Sequence, residues 1–301
     1  MSNHTNPTIK HDFVLLFDVV DGNPNGDPDA GNLPRVDPET MQGLVTDVCI
    51  KRKIRDFVHL DRGTNERFKI YVEHRGILNH QHDRAYKALG KADYKDKKKP
   101  DVKTQRDARS WMCENFYDIR MFGAVMTTEV NCGQVRGPLQ LTFGRSIDPI
   151  VPMDISITRV AVTKAEKGRA SGTEDEVPSE AEHGEMGRKA LVPFGLYRAH
   201  GFFNPHFAEQ TGANEEDLNL LWNALGQMWE IDRSAARGMM ACRGLYIFTH
   251  DNKVGRAPAH KLFNLIEIKQ KDGVEAPRSF ADYEVKVGQP PEGVSLTSLY
   301  T

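Results

Sequence analysis

The sequence predicts an α+β fold in which two β-α-β units carry long insertions. Residues 13–20 (FVLLFDVV) have the length and the apolar, β-branched composition of a buried strand, and residues 41–58 follow with the apolar spacing of a helix. Near the other end, residues 214–229 have the spacing of an amphipathic helix between strand-like runs at 190–203 and 244–249.

A long polar loop separates the first strand from the first helix. Its sequence, DGNPNGDPDAGNLPRVDPET (residues 21–40), is too rich in Gly, Pro, Asn and Asp for regular structure. Because a connection of this kind needs only a few residues, a length of about twenty indicates either a functional loop or a wrong assignment of the elements around it. We expect the helix to be capped by Thr40, so that it begins at Met41, or by Asp37, so that Pro38 stands in its first turn.

Two long segments lack the large apolar residues of a core. Residues 74–106 are rich in charge, and we expect them to form a solvated, finger-type insertion. Residues 163–189 hold four glycines and charges of both signs, as in a projecting arm. Elsewhere we expect a helix at 104–116, strands at 68–73, 134–143, 151–162 and 262–269, and a surface tail from residue 273.

The composition is that of a polar globular protein with a sizeable core. The chain has 301 residues, and its formal net charge of −2 does not by itself indicate nucleic acid, although a polyanion responds to local patches. The four cysteines form no CxxC pair, so neither a disulfide framework nor a zinc site is predicted. Since no apolar run approaches membrane-spanning length and no signal peptide is apparent, we expect a cytoplasmic protein without membrane contact.

Motifs for catalysis and metal binding are weak. His74, His80 and His82 have neither HExxH nor zinc-finger spacing, and no serine stands in a GxSxG motif. The polar loop lacks the glycine patterns of phosphate-binding loops. Its four aspartates could bind a divalent ion, but aspartate also favours turns because its side chain bonds to nearby backbone. Turn formation is the preferred interpretation.

Basic and amide side chains give a stronger signal. At about 100° per residue, Gln42, Thr46 and Lys53 share a stripe of the first helix beside its apolar face. Each cation alone is typical of a solvated surface, but together, beside strands and glycines, they also fit a surface that holds single-stranded nucleic acid by its backbone. Outside the helix, the candidates are Arg120, Arg136, Gln140, Arg145, Lys164, Lys167 and Arg169.

Three stretches resemble a known family. LLFDVVDGNPNGDPDAGNLPRVDPETMQGLVTDVCIKRKIRDFV, with DIRMFGAV and RGPLQLTFGRSIDPI downstream, closely resembles the backbone subunit of type I-C CRISPR Cascade, of the Cas7 family in the RAMP superfamily. The resemblance implies a single, modified RRM-like or ferredoxin-like palm domain over residues 1–301, with a finger at 74–106 and a thumb at 163–189. No RNP1-like aromatic motif is present, so base stacking on the sheet is not expected.

The resemblance also implies a function. It implies a non-catalytic, metal- and cofactor-free subunit that binds the spacer of CRISPR RNA along its phosphates, stacks head to tail with copies of itself and presents the guide to target DNA in antiviral defence. Further implied partners are the subunit that binds the 5′ handle, the large Cascade subunit and a recruited helicase-nuclease. In the family, the loop after the first strand and the start of the first helix lie close to the RNA. The resemblance therefore implies RNA contact by the corresponding residues here, Asn23, Asn25, Arg35, Gln42, Thr46 and Lys53.

Two other functions stay open. Related backbone subunits of type III complexes cleave target RNA with an aspartate and a divalent metal, and here an aspartate of the Asp21–Asp37 loop, Asp27 or Asp29, would be the candidate. The other possibility is an RNA-binding protein that acts alone.

Overall fold

In the residues that it describes (3–91, 101–159 and 185–301), the computed structural model contains fourteen strands and seven α-helices. The helices are α1 (Asp47–Arg62), α2 (Leu78–Ala88), α3 (Val102–Asn115), α4 (Tyr117–Phe122), α5 (Pro205–Thr211), α6 (Glu215–Ile231) and α7 (Ala259–Phe263). The strands are β1 (His11–Gly22), β2 (Gly26–Asp27), β3 (Leu33–Pro34), β4 (Gln42–Val45), β5 (Gly123–Met126), β6 (Gly133–Arg136), β7 (Leu139–Leu141), β8 (Gly144–Pro149), β9 (Met153–Arg159), β10 (Glu185–Phe203), β11 (Met239–His250), β12 (Ile266–Gln270), β13 (Tyr283–Val287) and β14 (Val294–Leu299).

The main sheet is built around β1. Strands β10 and β11 pair with β1 on either side, both antiparallel, so that Phe13 lies opposite Gly201 in one neighbour and Ile247 in the other. The sheet continues outward in the order β14-β11-β1-β10-β8-β4, with β7 and β9 also paired to β10. The predicted mixed α+β fold is confirmed.

Helices α1 and α6 cover one face of this sheet. Because side chains alternate along a strand, every second residue of β1 from Phe13 points into this core. The ring of Phe17 stacks between Tyr197 of β10 and Trp229 of α6, with centroid distances of 5.3 and 4.5 Å. The predicted helix at 214–229 is present as α6, which begins with a capping box at Asn214.

The opposite face of the sheet is partly covered as well. Val14 and Leu16 of β1 pack there against Phe263 of α7 and Ile266 of β12. A strand buried on both faces has no polar side, which explains why the β1 sequence is apolar almost throughout.

A second core lies beside the sheet, between α2 and α3. His82, Ala85 and Tyr86 of α2 are buried there. The expectation that residues 74–106 lie outside any core is therefore wrong for α2, while residues 92–100 lie outside the described residues. The predicted helix at 104–116 is present as α3.

The start of the first helix was predicted incorrectly. Gln42–Val45 is a strand, β4, paired with β8, and α1 begins only at Asp47 with Thr46 as its N-cap. Pairing with a strand about a hundred residues away overrides the helical spacing of the apolar residues. Gln42, Thr46 and Lys53 therefore do not share a helical stripe.

Other element predictions need smaller corrections. Residues 68–73 form no strand beyond an isolated bridge between Lys69 and Phe116. The run at 262–269 divides into the end of α7 and the start of β12. The tail is more than a surface wrap, since β14 pairs with β11 at the edge of the main sheet. In the described part of the chain, none of the helices combines the length and apolarity needed to cross a bilayer.

Candidate nucleic-acid interface

Because β1 extends to Gly22 and β4 begins at Gln42, the polar loop spans residues 23–41 in the structure. Its own amides hold it in place. Buried Asn23 donates from Nδ2 to the Asn32 carbonyl at 2.7 Å. The Oδ1 atom of Asn25 accepts from the backbone N–H of Thr46 at 2.9 Å and from its hydroxyl at 3.0 Å. Since Thr46 also caps α1, the loop is fastened to the start of the helix. These three predicted contact residues therefore shape the loop from within.

The loop aspartates serve as turn and ion-pair groups. Asp27 accepts a hydrogen bond from the Asp29 backbone N–H at 3.2 Å and lies 3.4 Å from the Arg35 guanidinium. Asp37 accepts from the backbone N–H of Glu39 at 3.1 Å. In the described ranges, no group of three or more His, Cys, Asp or Glu side chains is placed to hold a metal ion.

Lys53 lies in the interior. Its side chain is 1% exposed, its Nζ contacts the Asp232 carboxylate, and the Trp229 ring centre is 5.6 Å away. Burial lowers the pKa of the Lys53 ammonium to about 7. The prediction that Lys53 belongs to an exposed stripe is wrong, because a carboxylate distant in sequence draws it inward.

Arg120 is also buried. Its guanidinium donates to Asp217 from Nε at 2.9 Å and from Nη2 at 2.7 Å, and both side chains are fully buried. It also donates to the carbonyls of Cys113 and Arg67, at 2.7 and 3.1 Å. With its donors directed at protein acceptors, Arg120 joins α4 to α6, and its predicted place on a surface is wrong.

Two of the predicted residues meet in a groove on the sheet face away from α1 and α6. Gln42 and Arg145 both line it, and the Gln42 amide donates to the Ser146 carbonyl at 3.0 Å. The groove has a volume of about 390 Å³. The eight residues of this sheet groove are Gln42, Thr142, Phe143, Arg145, Ser146, Ile147, Arg198 and His200.

Arg145 connects the sheet groove to the polar loop. Its side chain is 52% exposed and donates to the Asp37 carboxylate at 2.8 Å. This hydrogen bond lowers the pKa of Asp37. An exposed ion pair is weak in water, so a phosphate oxygen can compete with Asp37 for the Arg145 guanidinium.

Arg198 and His200 were missed from the sequence. Tyr197 and Ala199 of β10 point into the core under α6. Because side chains alternate along a strand, Arg198 and His200 point to the opposite face, into the groove. Arg198 donates from Nε to Nε2 of His200 at 3.0 Å. Burial and the adjacent Arg198 cation lower the pKa of His200 to about 4, so the imidazole is neutral at pH 7. Their spacing of two within an apolar strand was a usable signal.

The remaining predicted residues do not line the sheet groove, and three of them lie outside the described residues. Exposed Gln140 of β7 lies opposite Phe202 of β10. Exposed Arg136 lies over the Phe207 ring, 4.5 Å from its centre. The arm residues Lys164, Lys167 and Arg169 are among those that the structure does not describe.

Comparison with known proteins decides the family. The family model for CRISPR-associated protein Cas7 matches residues 9–288. The chain belongs to the Cas7 family. It is 24% identical to the CRISPR-associated protein Cas7 of Haloferax volcanii over 299 residues, which covers 92% of this chain and 80% of that protein.

A solved structure shares the fold of this Cas7 protein. One chain of a CRISPR RNA-guided surveillance complex in a pre-nicking state matches with a TM-score of 0.51 at 13% identity, covering 79% of this chain and 78% of that chain. A chain of another CRISPR RNA-guided surveillance complex matches with a TM-score of 0.46 at 14% identity, covering 79% of this chain and 68% of that chain.

Proposed function

We propose that this Cas7 protein is the non-catalytic backbone subunit of a type I-C CRISPR Cascade in the cytoplasm. It binds the spacer of the guide RNA along its phosphates, stacks head to tail with copies of itself and presents the guide to target DNA. Its further partners are the 5′-handle-binding subunit, the large subunit and a recruited helicase-nuclease. The observation that carries this proposal is the family match over residues 9–288.

The fold supports a palm with a finger and a thumb. Strand β1 between β10 and β11, with α1 and α6 on one face, is the arrangement expected of a ferredoxin-like palm. The finger at 74–106 includes α2. Strands β9 and β10 pair as a ribbon that includes residues 185–189 of the arm, whose residues 163–184 lie outside the described residues. Ile155 and Ile157 on this ribbon are 38% and 50% exposed. Such apolar positions suit contact with a neighbouring copy.

The polar loop and the sheet groove form the RNA-binding surface in this proposal. A subunit that binds any guide sequence needs cations and amides that reach phosphates, because base-edge contacts would select sequences. Arg145 lines the groove, and Gln140 lies opposite Phe202 on the same side of the sheet; both side chains are exposed and polar. Asp27, a candidate catalytic aspartate, is engaged with Arg35 and a turn N–H, which supports the non-catalytic function over RNA cleavage.

Replacing Arg145 with glutamine is expected to weaken binding of single-stranded RNA to a similar degree for every sequence. The slope of log K against log[salt] should fall in magnitude by about 1, because one phosphate contact is lost. Fluorescence anisotropy with labelled RNAs of different sequence measures both quantities.

Arg62→Gln is the matched control for this substitution. Arg62 is 47% exposed and pairs with Asp61, as Arg145 pairs with Asp37, but it belongs to α1 on the other side of the sheet. If Arg62→Gln weakened RNA binding as much as Arg145→Gln, the sheet groove would not be the binding surface.

Head-to-tail stacking is tested by measuring the mass of the protein with and without guide RNA. We expect one RNA to carry several copies of the subunit, since a heterologous contact that does not close forms a filament. A complex with one protein per RNA at saturating protein would contradict this assembly.

A further inference from the structure

The connection between α6 and β11 (residues 232–238) supports the start of the polar loop. The Ala236 carbonyl accepts from the Asn23 backbone N–H at 2.8 Å. Gly22 packs so closely on Arg237 that an added Cβ would lie 1.9 Å from the Arg237 carbonyl oxygen. This contact leaves no room for a side chain at residue 22.

Arg237 binds the loop through its side chain. Its Nη1 donates to the carbonyls of Asn23 and Pro24, at 3.0 and 3.1 Å. Its Nε lies 3.5 Å from the Asp232 carboxylate, which terminates α6. A planar guanidinium can hold a carboxylate and two carbonyls in fixed directions, which an ammonium cannot do equally well.

Asp232 receives further cations from α1. Arg52 donates to its two oxygens at 3.1 Å each, and the buried ammonium of Lys53 contacts it as well. The Pro24 carbonyl also accepts a weak hydrogen bond from the Cys49 thiol of α1, at 3.6 Å. The loop start, α1 and the end of α6 therefore meet at one carboxylate and one guanidinium.

We propose that Arg237 is a positioning residue for guide RNA. By holding the carbonyls of Asn23 and Pro24, it fixes the segment that carries Asn25, whose Oδ1 accepts from Thr46, the N-cap of α1. Arg237 so sets the path of the loop along the RNA. It acts through the loop backbone and does not itself bind phosphate, because its guanidinium is directed at protein oxygens. The inference rests on the function proposed above.

Two substitutions of Arg237 separate positioning from direct phosphate binding. Arg237→Lys keeps the charge but loses the planar donor geometry, whereas Arg237→Met loses both. With full-length protein and a fluorescein-labelled single-stranded RNA of mixed sequence, we expect both variants to bind about tenfold more weakly. The salt slope should stay that of the wild-type protein, since no phosphate contact is removed.

Three other results would each contradict a different part of the proposal. Wild-type affinity in Arg237→Lys, together with weaker binding and a salt slope reduced by about 1 in Arg237→Met, would mean that Arg237 binds phosphate directly. Wild-type affinity in both variants would mean that Arg237 does not position the RNA site. If wild-type protein failed to bind RNA at all, the proposed function itself would be wrong.

A control variant at a neighbouring arginine and a local exchange measurement show whether weaker binding comes from general misfolding. Arg233 lies in the same connection, is 43% exposed and pairs with Glu230, so Arg233→Met should bind RNA as the wild type does. In Arg237→Lys, exchange of the amide hydrogens that residues 22–26 carry (all but Pro24) should become faster, and exchange in β10 and α6 should stay unchanged. Unchanged exchange at residues 22–26 would contradict the proposal. Arg237→Gln replaces Arg237→Met if the latter does not fold.

Discussion

Replacing Arg120 with methionine is expected to lower the free energy of unfolding by about 3–5 kcal/mol. The substitution leaves the buried Asp217 carboxylate without the two hydrogen bonds from Arg120. Arg67, which already lies 2.9 Å from Asp217, then compensates only part of the carboxylate charge. The carbonyl of Cys113 loses its donor from Arg120 as well. Urea denaturation followed by circular dichroism measures the change.

Arg62→Met is the control for the Arg120 substitution. Its guanidinium is 47% exposed beside Asp61 and Glu216, and pairs of this kind contribute little, so a change of at most about 0.5 kcal/mol is expected. A loss below about 1 kcal/mol in Arg120→Met would show that the Arg120–Asp217 pair does not stabilise the fold.

A double-mutant cycle tests whether the two buried charges depend on each other. Asp217→Asn alone should also be destabilising, because Asp217 accepts from the Asn214 backbone N–H in the capping box of α6. If the charges stabilise each other, Arg120→Met combined with Asp217→Asn should cost less than the sum of the single substitutions. The cycle therefore separates the ion pair from the helix cap.

The elements that the sequence predicts well are those whose own residues determine them. Strand β1 carries a run of apolar residues on both faces, and α6 has an apolar stripe behind a capping asparagine, so neither depends on a distant partner for its type. The segment 41–48 is different, since its apolar residues fit a helix equally well. Its outcome as β4 depends on pairing with β8.

The candidate site was harder to predict because charge does not reveal burial. Lys53 and Arg120 look like surface cations until Asp232 and Asp217, 179 and 97 residues away, are brought against them. Nothing in the sequence around Arg145 distinguishes it from the buried Arg120, yet the Arg145 side chain faces solvent. Arg237, by contrast, stands in a connection to which the sequence assigned no role.

Mild acid is expected to destabilise the protein through His11. This imidazole is fully buried, donates from Nε2 to the Asn6 carbonyl at 2.8 Å and accepts at Nδ1 from the Thr249 hydroxyl at 3.0 Å. Burial lowers its pKa to about 4 from an ordinary value of 6.5. The folded state therefore favours the neutral ring, and the unfolded chain binds a proton first as pH falls.

The sign and the size of this effect follow from proton linkage. The contribution of His11 to stability is complete above pH 6.5, decreases as pH falls from about 6.5 to about 4, and changes no further below that. The difference between the two pKa values corresponds to a loss on the order of 3 kcal/mol. His200, whose pKa is also lowered to about 4, adds to the decrease over the same range.

Other groups also respond to acid, so His11→Gln isolates the contribution of this ring. The variant should be less stable at pH 7, because the buried imidazole contacts are lost, but its free energy of unfolding should fall less steeply between pH 6.5 and pH 4. Replacing the exposed His74 with glutamine should leave the wild-type slope intact. Equal slopes in His11→Gln and the wild type would mean that His11 is not the residue that senses acid, since the proton taken up on unfolding would then come from elsewhere.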